Sequence, residues 1–234
     1  MTSEPSIQSH SRRLLYFVLM SGLASALAAE SPLPTSSEIL ARVEVENTRR
    51  HIALKAFSGS RQYTLQNIRF GKQATVAVLI NYRQVEGQRY TVVARSGSDR
   101  LNGIIDRVLS SEAGVSLPAE NARHDITSAN YRVRLLRVEV AAGRNCYVLE
   151  LAPRIRSRFL IVGRAWIDSG SYSVVRIDGQ FAASLSVLVG APQFTEEFVE
   201  VHGFWMPEHV HSVSSGLLLG STELDVLFSN YQFD

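Results

Sequence analysis

Gln73-Ala74-Thr75-Val76-Ala77-Val78-Leu79-Ile80-Asn81-Tyr82-Arg83 repeats with a period of two, putting Ala74, Val76, Val78, Ile80 and Tyr82 on one face, the signature of a strand. Ala77 and Leu79 make the opposite face partly apolar as well, so the sheet it belongs to wants cover on both sides. On either side the alternation recurs in Ser60 to Phe70 and Arg89 to Arg95, joined through Gly71-Lys72 and Val85-Glu86-Gly87-Gln88. These joints are hairpin-sized, and the three runs form an antiparallel meander. Before the meander, Thr35 and Glu38 stand at capping-box spacing, and Ile39, Leu40, Val43 and Ile52 keep a helical stripe to about Ala53. After it, Leu101, Ile104, Ile105, Val108 and Leu109 space a second helix over Asp99 to Ala113. Gly114, Pro118 and the polar stretch 120–128 then break the pattern into a loop or a short further helix.

Beyond Asn130 seven more strands follow: Tyr131 to Val140, Tyr147 to Leu151, Arg158 to Asp168, Ser173 to Phe181, Phe194 to Val201, Trp205 to Val213 and Leu217 to Phe228. Ten strands with two helical pieces define a single α+β domain. Long strands joined by tight turns twist strongly and curl toward a barrel. If the helices plug the inside only partly, an apolar concavity is left.

Composition narrows the function. The 234 residues carry a formal charge of +2, too little surplus to drive sequence-independent phosphate binding, so nucleic acid is not expected as a partner. All but two of the 24 basic residues are arginine, the exceptions being Lys55 and Lys72, and coding bias explains that as well as an anion site does. Arg12 and Arg13 precede an apolar run that ends in Ala26-Leu27-Ala28-Ala29, a small-x-small cleavage form. Residues 1–28 read as a secretory signal cleaved near Ala28-Ala29, too short and too diluted by Ser21, Gly22 and Ser25 to span a bilayer. Residues 29–234 are the mature domain, expected in the periplasm without a stable transmembrane segment. Cys146 is the only cysteine, so no intramolecular disulfide forms, and its strand setting suggests a small buried hydrophobe.

No signature of chemistry stands out. His209-Val210-His211 places two imidazoles on one strand face with Glu208 adjacent, short of a zinc ligand set, so surface or edge-strand placement is expected rather than metal. Ser96-Gly97-Ser98-Asp99 lacks the nucleophile-elbow frame and reads as a strand end that caps the following helix. Trp166-Ile167-Asp168 running to Gly170 reads as a turn in which Asp168 accepts backbone bonds and Gly170 supplies positive φ. Pro207, after Gly203-Phe204-Trp205-Met206, is expected at an edge or bulge. There is no P-loop, dinucleotide glycine pattern, H-E-x-x-H or C-x-x-C, and neither cofactor nor catalytic residue is assigned.

The order of these parts, with Phe70-Gly71-Lys72, Tyr131 to Leu136, Cys146 to Pro153, Gly163 to Asp168, Val174 to Ile177 and Gly203 to Pro207, resembles the outer-membrane lipoprotein-sorting (LolA/LolB-like) superfamily. The resemblance covers nearly the whole mature chain. It implies a strongly curved antiparallel sheet forming an unclosed barrel of about ten strands, covered by the N-terminal helix and the helical insert. It further implies a non-catalytic carrier that shelters lipid or lipoprotein acyl chains, with partner proteins in the inner or outer membrane. The matching segments are turns and strands, so no carrier residue transfers by motif. Candidate apolar lining positions are Val76, Val78, Ile80, Leu149, Leu160, Val162 and Trp166, although packing into a core predicts the same pattern for each. The alternatives are an RseB-like regulatory module that senses lipoproteins, or a structural envelope protein.

Overall fold

The computed structural model describes residues 32–113, 124–183, 192–216 and 220–233. The expected signal segment, the break after the second helix and the start of the last expected strand lie outside them. Within them the order is α1 (Ser36–Ala53), β1 (Ala56–Asn67), β2 (Lys72–Arg83), β3 (Gly87–Gly97), α2 (Asp99–Ala113), β4 (Tyr131–Ala141), β5 (Arg144–Pro153), β6 (Ile161–Asp168), β7 (Val174–Phe181), β8 (Gln193–Val201), β9 (Phe204–Gly216) and β10 (Gly220–Phe233).

All ten strands join one antiparallel sheet in the order β3-β2-β1-β10-β9-β8-β7-β6-β5-β4. It is curved but not closed, because β3 and β4 remain as free edges. The capping box starts α1 as its spacing predicts: Glu38 N–H donates to Thr35 Oγ1 at 3.3 Å, and Thr35 N–H donates back to the Glu38 carboxylate at 2.7 Å.

Register shows which residues share a face. Arg95, Val76, Tyr63, Val226, Val210, Glu196, Ile177, Ala165, Leu149 and Leu135 are successive cross-strand partners, one from each strand, and make a single row from edge to edge. Two cores build on this face. One packs Leu101, Ile105 and Leu109 of α2 on Tyr63, Leu65, Val76, Val78 and Ile80. The other packs Ile39, Leu40 and Val43 of α1 with Tyr131, Leu149, Leu151, Ala165 and Ile167. The opposite face holds a smaller cluster of Cys146, Val148, Trp166, Val175 and Trp205. This second apolar face is covered in part by arginine stems, with Arg144 over Trp205 at 4.9 Å and Arg164 and Arg176 over Trp166 at 5.3 and 5.1 Å.

An open sheet with long edges invites further pairing, and both edge strands carry a device against it. Val93 is an extra residue of β3 opposite Ala77 and Val78, and Leu136 is an extra residue of β4 opposite Leu149 and Val148. Such bulges twist an edge away from a flat template. On β4 the Leu135 N–H is also taken up by Ser36 Oγ at 2.8 Å.

Some expectations are corrected. Arg158 to Leu160 form a turn before β6, and β1 starts four residues earlier than its alternation suggests because Ala56 to Gly59 pair with Ile80 to Arg83. The Asp168 turn does close through its side chain, which accepts from Ser171 N–H at 2.8 Å. Its left-handed residue is Tyr172, φ 59°, and not Gly170. The Tyr172 hydroxyl accepts from Arg42 of α1 at 2.9 Å. Pro207 sits at a bulge of β9, where Glu197 pairs with His209 and Phe198 with Pro207.

Candidate functional site

Along the ten-residue row every position away from the edge is apolar or aromatic except one, Glu196 of β8. Its cross-strand partners are Val210 and Ile177, and Phe194 shares its face of β8. A carboxylate there is expensive unless something compensates it. No hydrogen bond or ion pair to it is found among the described residues. Desolvation raises its pKa to about 7, with the negative charge of Glu112 adding to the rise and Arg61 and Arg50 opposing it. Glu196 nonetheless keeps some accessible surface while its surroundings desolvate it.

Glu196 lies between the two helix-covered cores. α2 lies over β1, β2 and β3, and α1 packs beside β4, so β8, β9 and β10 carry the seam. Phe194, Val210, Leu224 and Phe228 on these strands are half-buried at the rims of the cores. Two neighbouring strands also approach closely: a Cβ on Gly163 would meet the Asp178 carbonyl at 2.0 Å, and one on Gly179 would meet the Val162 carbonyl at 2.5 Å. Only glycine permits that cross-strand pair, as at the tight bend of a barrel wall.

Charged groups flank Glu196 on both sides. Arg61 of β1 donates to Glu112 at the end of α2 at 2.7 Å and to Gln88 of β3 at 2.7 Å, while Tyr63 Oη donates to Glu112 at 2.8 Å. Burial lifts the Tyr63 hydroxyl and the Glu112 carboxyl above their ordinary ranges, even with Arg61 beside them. Across the seam Arg50, in the last turn of α1, donates to the Trp205 carbonyl at 3.2 Å, and burial lowers its pKa. The arrangement offers apolar floor with isolated polar groups, a setting that binds amphipathic molecules and contains no nucleophile–base pair.

The seven lining positions expected from sequence fall in three places. Val76, Val78 and Ile80 are buried beneath α2, and Leu149 and Leu160 are buried beneath α1. Trp166 and Val162 lie on the opposite face, Trp166 nearly covered and Val162 exposed. None is at the seam. Glu196 had a legible signal, since the alternation of Phe194, Glu196 and Phe198 puts a carboxylate in line with two phenylalanines.

His209 and His211 lie on the exposed side of an inner strand, not at an edge, and both contact Asp225 Oδ1, at 3.1 and 2.9 Å. Burial alone would raise the Asp225 pKa, but these two contacts hold it below the usual range. Among the described residues no group of three or more metal-ligating side chains converges. Two cavities lie elsewhere: one of about 300 Å³ between α1 and β4, lined by Leu40, Glu44, Tyr131 and Arg154, and one of about 230 Å³ beside the β1–β2 turn, lined by Phe70, Lys72, Arg100 and Ile104. No described helix is long and apolar enough to cross a membrane.

No protein-family model matches the sequence, and no curated protein matches it. Solved structures do match. A LolA superfamily protein from Nitrosomonas europaea is 14% identical, with 86% of this chain and 94% of that chain covered and a TM-score of 0.45. The chain is similar to LolA superfamily structures. A putative outer membrane lipoprotein-sorting protein domain from Vibrio parahaemolyticus is likewise 14% identical, covering 85% of this chain and 93% of that one, with a TM-score of 0.43. A MucA/MucB complex from Pseudomonas aeruginosa matches at 11% identity over 82% of this chain and 99% of that one, with a TM-score of 0.28. What this chain binds is read from its own residues.

Proposed function

We propose that the protein is a non-catalytic, exported carrier that shelters the acyl chains of a lipid or lipoprotein on the seam between its two cores. The observation that supports it is Glu196, a partly accessible carboxyl with no hydrogen bond or ion pair among the described residues, in the middle of a row whose other positions away from the edges are apolar or aromatic. A packed interior selects against such a residue, whereas a hollow that exchanges water for ligand tolerates it. Half-buried Phe194, Val210, Leu224 and Phe228 supply apolar contact around it, and each methylene withdrawn from water contributes about 0.8 kcal/mol. Residues 1–28 are the export signal in this reading, and the place of work is the periplasm.

Mass spectrometry of an organic extract of the native protein tests the reading. Acyl-containing molecules are expected at a fixed ratio to protein, and Val210→Trp, which fills the seam, is expected to reduce their recovery at least tenfold while the protein stays folded. A clean extract from both forms sinks the carrier and leaves a protein-binding envelope module. Recovery unchanged in the variant moves the ligand away from the seam.

A further inference from the structure

One end of the sheet differs in charge and polarity from the other. Register brings the β1–β2 turn, the start of α2 and the connection from β5 to β6 to the same end. At the β1–β2 turn Ile68 and Phe70 are 49% and 54% exposed, and Arg69, Lys72 and Arg100 stand exposed beside them. In the β5–β6 connection Ile155 is 67% exposed, flanked by Arg154, Arg156 and Arg158. Along 66–73, 98–100 and 153–160 the one acidic residue is Asp99.

Among the described residues none of Arg69, Lys72, Arg100, Arg154, Arg156 and Arg158 has a carboxylate within ion-pair distance, and their contacts go to carbonyls or to a neighbouring ring. Arg69 lies over Phe70 at 5.5 Å and Arg158 over Phe159 at 4.8 Å. At the opposite end Glu86 pairs with Arg89 at 3.0 Å, Glu200 with Arg144 at 2.6 Å, and Lys55 donates to Gln84 at 3.0 Å. Exposed apolar side chains interleaved with unneutralised cations fit a surface that is apolar below and negatively charged above. A nucleic acid would not reward Ile68, Phe70 and Ile155, and an acidic protein would not need them arranged around the rim of a sheet.

We propose that this end docks on an anionic lipid bilayer, with Ile68 and Phe70 entering the interface and the six cations lying at the headgroups. Each basic residue near such a surface is worth about fivefold in binding. The cavity of about 230 Å³ between Phe70, Lys72, Arg100 and Ile104 lies directly behind the inserted turn. The docking surface is distinct from the seam around Glu196, so it stands or falls independently of what the seam holds.

A solvatochromic label on Phe70→Cys tests it, because the native Cys146 is buried and does not compete for the label. Titration with phosphatidylcholine vesicles containing phosphatidylglycerol is expected to shift the emission to the blue, reversed by high salt, whereas pure phosphatidylcholine gives no shift. A label at Val85, 89% exposed on the β2–β3 turn at the opposite end, is expected to stay in water. Combining Arg154→Gln, Arg156→Gln and Arg158→Gln is expected to weaken the response roughly a hundredfold, while Arg89→Gln leaves it within about twofold. The proposal is overturned by no shift at position 70, by an equal shift at 85, by an equal response to neutral vesicles, or by a triple variant that behaves as the parent. Unaltered circular dichroism of each labelled protein separates these outcomes from misfolding.

Discussion

Glu196 is a residue whose ionisation bears directly on the stability of this fold. Its folded pKa of about 7 lies above the 4.5 of an unperturbed glutamate, so between those values the native state holds a proton that the unfolded chain has released. Stability contributed by the neutral form is therefore complete below pH 4.5 and is lost as pH rises through about 7, by an amount on the order of 3 kcal/mol. Glu196→Gln is expected to flatten this decline and to raise the melting temperature at pH 8, measured by thermal unfolding across pH. An unchanged pH profile would place Glu196 in open water. Cys146 makes a simpler case. Completely buried beside Asp168, with burial pushing its thiol pKa up, it should react with a thiol reagent only as the protein unfolds. Its burial was legible from the apolar strand around it. The solitary status of Glu196 was not, because alternation tells which residues share a face but not which of them a helix covers.

At the scale of elements, α1 and α2 were readable to within a residue because cap and stripe are local. Thr35→Ala removes one half of the capping box, and it is expected to cost about 1 kcal/mol, seen as a lowered melting temperature with unchanged spectra. Strand existence was equally legible, but strand ends were not. β1 gains Ala56 to Gly59 only because β2 lies opposite them, and Arg158 to Leu160 lose their strand despite apolar alternation because β7 stops at Phe181, opposite Ile161. Turn conformation shows the same limit: Tyr172, whose hydroxyl accepts from Arg42 130 residues away, takes the left-handed position that the local pattern assigns to Gly170. The bulges at Val93 and Leu136 likewise have no local signal, being defined by a partner strand.

Across the whole molecule, two helix-covered cores share one continuous sheet. Both tryptophans lie on the α1 side of the seam or on its far face, whereas Ile105 is buried under α2. If the β1–β10 ladder couples the two halves, Ile105→Ala, at about 2–5 kcal/mol for a buried isoleucine, lowers the midpoint of tryptophan-detected unfolding as much as that of helix-detected unfolding. Separate midpoints would show two units that melt independently. The sequence by itself determined the number and type of elements, the capped helix, the sharing of faces along each strand and the lack of catalytic motifs, because periodicity and capping act over a few residues. Only the tertiary structure decided which of the expected lining residues pack beneath a helix, that a partly accessible carboxyl lies between the two cores and that exposed cations gather at one end. Those facts depend on which distant strands become neighbours and where each helix comes to rest, and short-range patterns carry no record of either.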